Sequence, residues 1–150
     1  MTVGIVGLGL IGGSFAKAYH EAGATVLAWN RSRSVLDFAV MSGAVDAELT
    51  EDNIAACDLV LIALYPEATI EWFRRMAPHI GSHPVVLDCG GTKRTICAAC
   101  FPIAKEHGVT FLGGHPMAGT QYSGFKNAKA TMYHGAPMVI VPPDFDDVLL

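Results

Sequence analysis

Apolar runs of strand length alternate along the chain with segments of helical period, the pattern that builds a parallel sheet covered by helices on both faces. Thr2 to Val6 reads as the first strand. Ile11, Phe15, Ala18 and Ala22 then recur at spacings of four, three and four, which puts one apolar stripe on a helix that stops near Gly23. Thr25 to Ala28 is a second strand, Ser34 to Met41 a helix, Ala44 to Ala47 a short third strand and Asp58 to Leu64 the fourth. Pro66 suits a helix first turn, Ile70, Phe73 and Ala77 share a face behind it, and Pro78 is read as the stop. Val85 to Asp88, a helix from Lys93 to Lys105, Thr110 to Leu112 and a last strand Met138 to Val141 complete the alternation, closed by Pro142-Pro143. The final stretch, Asp144 to Leu150, reads as the first turns of another helix.

Between the first strand and the first helix stands Gly7-Leu8-Gly9-Leu10-Ile11-Gly12, a full G-x-G-x-x-G in the context that gives it meaning. The first glycine permits the tight turn, the second lets backbone approach a pyrophosphate, and the third lets helix and strand pack closely. The helix start at Leu10 and Ile11 offers N–H groups and partial positive charge to an anion, and Gly13 and Ser14 extend the motif with a possible donor. The fold class is therefore α/β, a doubly wound Rossmann fold with a mainly parallel sheet, over residues 1–143.

The end of the second strand normally carries an acid where NAD is preferred, because the carboxylate accepts hydrogen bonds from the adenosine ribose. Here that position is Asn30, followed by Arg31, Ser32 and Arg33. Cationic and hydroxyl donors suit a 2'-phosphate, so NADP is read ahead of NAD; the plainer reading is a solvated loop with two surface arginines. Ala63-Leu64-Tyr65 ends the fourth strand at the same sheet edge and is expected to line the cofactor, with Tyr65 equally readable as a surface aromatic ahead of Pro66.

Composition narrows the classes. With 150 residues, 51% hydrophobic, 16% charged and a net charge of -4, the chain fits one packed domain and lacks the basic surface of a nucleic-acid binder. It is short for a two-domain dehydrogenase, which reads as a fragment. Runs such as Leu59 to Leu64 fall far below the roughly 18 residues of a membrane span, and Met1 to Val6 enter a strand without the features of a secretory signal, so a cytosolic location is expected. The four cysteines, Cys57, Cys89, Cys97 and Cys100, include one C-x-x-C but no second pair for tetrahedral zinc, and they read as reduced thiols with no metal site.

Two further motifs follow strands. Asp88-Cys89-Gly90-Gly91-Thr92-Lys93 allows either a bare turn into the next helix, capped by Thr92, or close approach of a ligand; Lys93 and Arg94 oppose the helix dipole, which favours a ligand or a charged partner for them. Gly113-Gly114-His115-Pro116-Met117-Ala118-Gly119-Thr120 holds a histidine between glycines and a proline, exposed, constrained and suited to proton transfer. The other histidines read as surface residues, and Asp88 is the next candidate for a base.

Taken together, these three elements resemble the motifs of prephenate and arogenate dehydrogenases over essentially the whole chain, the His-Pro-Met-Ala-Gly stretch being the most specific. The resemblance implies NAD(P)-dependent oxidative decarboxylation in tyrosine biosynthesis, converting prephenate to 4-hydroxyphenylpyruvate or arogenate to tyrosine. It assigns His115 to the ring hydroxyl of the substrate as the catalytic residue, with Gly91, Thr92, Thr120 and Gln121 at the substrate. Gly91 stands where the family commonly has serine, and Gln121 where it commonly has an acid. The resemblance also implies a C-terminal helical domain that mediates homodimerisation and supplies cations to the substrate carboxylates. Residues 144–150 are read as the start of the connection to it, and the isolated chain is expected to be inactive. Two alternatives stay open: another NADP-dependent hydroxyacid or imine reductase, and a cofactor-binding module without catalysis.

Overall fold

The computed structural model describes residues 1–143; the helix start expected over residues 144–150 lies outside the described residues. Strands β1 (Thr2–Val6), β2 (Thr25–Trp29), β3 (Ala47–Glu48), β4 (Leu59–Ile62), β5 (Val85–Asp88), β6 (Thr110–Pro116) and β7 (Met138–Val141) form one sheet in the order β3-β2-β1-β4-β5-β6-β7. Every pairing is parallel except β6 with β7. Helices α1 (Leu10–Glu21), α2 (Arg33–Met41), α3 (Pro66–Ile80) and α4 (Arg94–His107) supply the crossovers. This is the doubly wound α/β architecture that the alternation predicts.

Side chains alternate across each strand, so a parallel strand that is apolar throughout feeds two cores. In β4, Val60 and Ile62 join Val6, Val86 and Phe111 under Phe73 and Met76 of α3 and Ile96 and Cys100 of α4. Leu61 and Leu87 join Val3, Ile5 and Val26 on the opposite face, with Ala16 of α1 and Leu36 of α2. Phe73 is fully buried against Phe111, ring centroids 4.7 Å apart. Burying such a side chain stabilises the fold by about 1.5–3 kcal/mol. No helix among the described residues is long and apolar enough to cross a membrane.

The departures from expectation have local causes. The third strand is only Ala47–Glu48, because Asp46 turns its carboxylate onto the Val26 N–H at 2.7 Å ahead of the pairing. Helix α3 continues through Pro78 to Ile80; a proline in the last turn removes one hydrogen bond, and the fully buried Ile80 holds the end in place. Thr92 does not cap α4, which starts at Arg94 with no side-chain cap and stops at Gly108 in the left-handed region. Most important for function, β6 does not stop at Leu112. Gly113, Gly114, His115 and Pro116 pair with Val141, Ile140, Val139 and Met138, so the histidine motif begins inside the sheet.

Candidate functional site

The strand order reverses between β1 and β4, and the crevice outside their carboxyl ends is where doubly wound sheets take ligands. The glycine loop stands there. Gly7 turns at φ +94°, donates its N–H to the Trp29 carbonyl at 2.8 Å, and has no room for a Cβ, which would lie 2.6 Å from the Ala63 carbonyl oxygen. Gly12 packs so closely that a Cβ would fall 1.9 Å from the Gly7 carbonyl oxygen. A Cβ on Gly9, in contrast, would meet nothing within 4 Å. The middle glycine therefore faces open space at the N-terminus of α1, whose first turn holds no acidic residue. The first helical hydrogen bond runs from Gly13 N–H to the Gly9 carbonyl, and the amides of Leu10, Ile11 and Gly12 precede it without intrahelical partners. This cradle fits a pyrophosphate.

Asn30 serves the loop from behind. Its Oδ1 accepts the Leu8 N–H at 2.9 Å and its Nδ2 donates to the Ser32 carbonyl at 3.0 Å. Of the two arginines beyond it, Arg33 is held by Asp37 at 2.9 Å and by Glu48 at 2.6 Å, contacts that raise its pKa, with the Glu48 hydrogen bond the largest cause. Arg31 makes no ion pair among the described residues and is exposed, as is Ser32, whose hydroxyl lies 3.0 Å from that of Ser34. The group of cationic donors expected after β2 thus reduces to Arg31. Ala63 and Leu64 close the floor of the crevice at half exposure, whereas Tyr65 is 88% exposed at the start of α3. The extra donor expected of Ser14 is absent: its hydroxyl is buried, accepts the Lys129 N–H at 3.0 Å and ties α1 to a 3-10 turn at Ala130–Tyr133.

Two and three strand positions from β1, roughly 10–14 Å across the sheet, the second and third motifs meet. Asp88, at the end of β5, is fully buried. Its Oδ1 accepts the Gly114 N–H at 3.1 Å, its Oδ2 accepts the Gly90 N–H at 2.9 Å, and it forms an ion pair with Lys93. The glycines serve this meeting as much as any ligand: a Cβ on Gly114 would lie 2.3 Å from the Asp88 carbonyl oxygen, and one on Gly113 2.6 Å from Cys97 Sγ. The charged partner expected for Lys93 is therefore inside the domain. Beside it, His115 is half-buried, and its Nδ1 is buried with no hydrogen-bond partner. A Cβ on Gly91 would lie 3.8 Å from His115 Cε1, which brings the two motifs to one place. Thr92, Thr120 and Gln121 are exposed, and the Thr120 hydroxyl accepts the Tyr122 N–H at 3.2 Å in a turn.

The thiols take no part in acid–base work. All four cysteines are free and buried, and desolvation, with the Asp88 charge as a lesser cause, pushes Cys89 and Cys100 up to about 12. What the sequence reading missed is the joint role of Asp88 and Lys93; the visible signal was an acid at a strand end, two glycines, then a cation five residues on.

The comparisons with known proteins agree with this fold. Residues 15–148 match the family model described as prephenate dehydrogenase, nucleotide-binding domain. A prephenate dehydrogenase of Lactococcus lactis is 30% identical over 142 residues, covering 91% of this chain and 39% of that protein. The structure of Synechocystis arogenate dehydrogenase overlays with a TM-score of 0.88 at 25% identity, over 99% of this chain and 54% of that one. Prephenate dehydrogenase from Aquifex aeolicus, in complex with hydroxyphenyl propionate and NAD+, overlays at 0.78 and 26% identity, over 99% and 53%. An imine reductase of Streptomyces aurantiacus matches less well, at 0.68 and 25% identity over 79% of this chain and 42% of that one. The chain spans well under two thirds of the length of each of these relatives.

Proposed function

The chain belongs to the prephenate dehydrogenase family as its nucleotide-binding domain, and from that premise we propose that it holds a nicotinamide dinucleotide, NADP in preference to NAD, for the oxidative decarboxylation of prephenate or arogenate. The observation that carries this reading is the pairing of an open glycine cradle at Gly9 with a histidine ring nitrogen left unpartnered on the same sheet edge. Imine reductases share the dinucleotide cradle, and the His115 motif favours the dehydrogenase reading over them. A catalytically silent binding module would leave the buried Nδ1 without purpose.

Amides at Leu10, Ile11 and Gly12 bind the pyrophosphate, Arg31 and Ser32 meet the 2'-phosphate, and Ala63 and Leu64 line the route toward the nicotinamide, with Tyr65 at its rim. When bound, the nicotinamide supplies the acceptor for a hydride from the hydroxyl-bearing ring carbon. His115 accepts the proton of that hydroxyl as positive character builds on its carbon, which stabilises the transition state; loss of the ring carboxylate as carbon dioxide then leaves its electron pair in the ring as a phenolate, which takes the proton back from His115 to give the aromatic phenol. Gly91 leaves room beside the imidazole for the substrate ring, and Thr92, Thr120 and Gln121 edge the same opening. Cations for the substrate carboxylates come from a second, helical domain joined through residues 144–150, which also makes the homodimer, and the enzyme works in the cytosol.

Calorimetric titration of this chain with NADPH and NADH, followed by assays with prephenate and arogenate of the chain alone and of a version extended by its downstream sequence, tests the proposal. Tighter binding of NADPH, no useful turnover by residues 1–150 and turnover by the extended protein are expected. No binding of either dinucleotide, or an extended protein that binds them but acts on neither substrate, would overturn it.

A further inference from the structure

Asp88 is a buried ionised group for which the proposed chemistry has no direct use. Three of its roughly four acceptor sites are taken by the Gly114 N–H, the Gly90 N–H and the Lys93 ammonium, and the side chain is fully buried, so it does not stand open to a substrate proton. The geometry is informative in another way. The β5–β6 ladder stops at Leu87 with Leu112, and one residue later the Asp88 side chain takes over as acceptor for the strand that carries His115. The same carboxylate fixes the loop of Gly90 and Gly91, which stands against the His115 ring. We propose that Asp88, neutralised by Lys93, is the positioning residue for His115: it locks the histidine strand to the glycine loop so that the imidazole keeps one orientation toward the crevice. This inference rests on the reading of His115 as the proton acceptor.

The arrangement needs a carboxylate. Asparagine has one acceptor oxygen, so it can serve the Gly114 or the Gly90 amide but turns an NH2 donor against the other. It also leaves the half-buried Lys93 ammonium without its carboxylate partner, which weakens the fold. The double variant Asp88→Asn with Lys93→Met removes both charges and keeps the packing of the lysine stem beside Gly113. It isolates the loss of the clamp from the loss of charge balance.

In this chain, backbone amide exchange and imidazole NMR signals are recorded for wild type and the double variant. The Gly114 amide should exchange about 10-fold faster or more, and the His115 ring signals should shift or split, while amides of β1 and α3 keep their protection. In the extended enzyme the same variant should lower kcat by about 10- to 100-fold with the KM for cofactor within two-fold, the cost of a misplaced catalytic group. Added to His115→Asn it should cost nothing further, because its effect passes through that ring. Unchanged Gly114 exchange and His115 signals, or an undiminished cost in the His115→Asn background, would overturn the proposal. If His115→Asn alone retained turnover, the catalytic reading would fail, and the exchange and ring signals would still decide whether Asp88 holds the histidine.

Discussion

The choice between NADP and NAD turns on Arg31, because the structure withdraws its neighbour from competition. Arg33 is held by Asp37 and Glu48, while the exposed Arg31 makes no ion pair among the described residues. A guanidinium about 4 Å from a unit phosphate charge gains about 1 kcal/mol in water and about 4 at an effective dielectric of 20. Exposure puts Arg31 near the lower end, so about 1–2 kcal/mol is the expected worth, or roughly 5- to 30-fold in Kd. Arg31→Ala should weaken NADPH by that factor and leave NADH within two-fold, whereas Arg33→Ala should change the NADPH to NADH ratio little. The NADPH advantage should also shrink as salt rises, since an exposed pair is screened beyond a Debye length of about 10 Å at 0.1 M. Calorimetry of the isolated chain with both dinucleotides, at low and high salt, measures all of this. An unchanged ratio in Arg31→Ala, or a loss confined to Arg33→Ala, would refute the reasoning.

In the extended enzyme, His115→Asn should lower kcat by roughly 10²- to 10⁴-fold with NADPH affinity unchanged; near-normal turnover would require another base. Gly91→Ser sets a side chain into the room beside the His115 ring that the substrate is proposed to take, at a position whose backbone needs no glycine, and should lower kcat/KM for the substrate by about 5-fold, about 1 kcal/mol, with NADPH affinity unchanged; an undiminished kcat/KM would show that the space is not needed for substrate. Asp58 accepts the Thr2 N–H at 2.7 Å and pairs with His83 at 3.1 Å, which holds its carboxyl below the usual range. A depressed folded pKa stabilises the fold above the unfolded value of about 4 and loses that stability as pH falls through the folded one, so Asp58→Asn should flatten the decline in Tm on acidification below about pH 5, measured by thermal denaturation across pH.

What was legible in the sequence follows from how far away the deciding contacts lie. Gly7, turning at φ +94°, and Gly12, packed on the Gly7 carbonyl, answer constraints set within the loop's own strand, turn and helix, so these were readable; that Ala63 also closes on Gly7 from beyond β4 was not. Gly113 and Gly114 looked the same in sequence, as loop residues after a strand. Their real constraint comes from β7, more than twenty residues later, and from Cys97 and the Asp88 backbone, none of which a local pattern reveals. Arg33 was misjudged for the same reason, since Glu48 reaches it from the next strand. Asp88 is the sharpest case: an acid at the end of a strand near a histidine is the ordinary appearance of a catalytic base, and only its complete burial, with three donors around its two oxygens, shows that it serves the fold. On the proposed reading proton transfer then falls to His115, because a group whose charge is consumed by the fold can aim a catalyst but cannot itself exchange a proton without undoing the contacts that hold it.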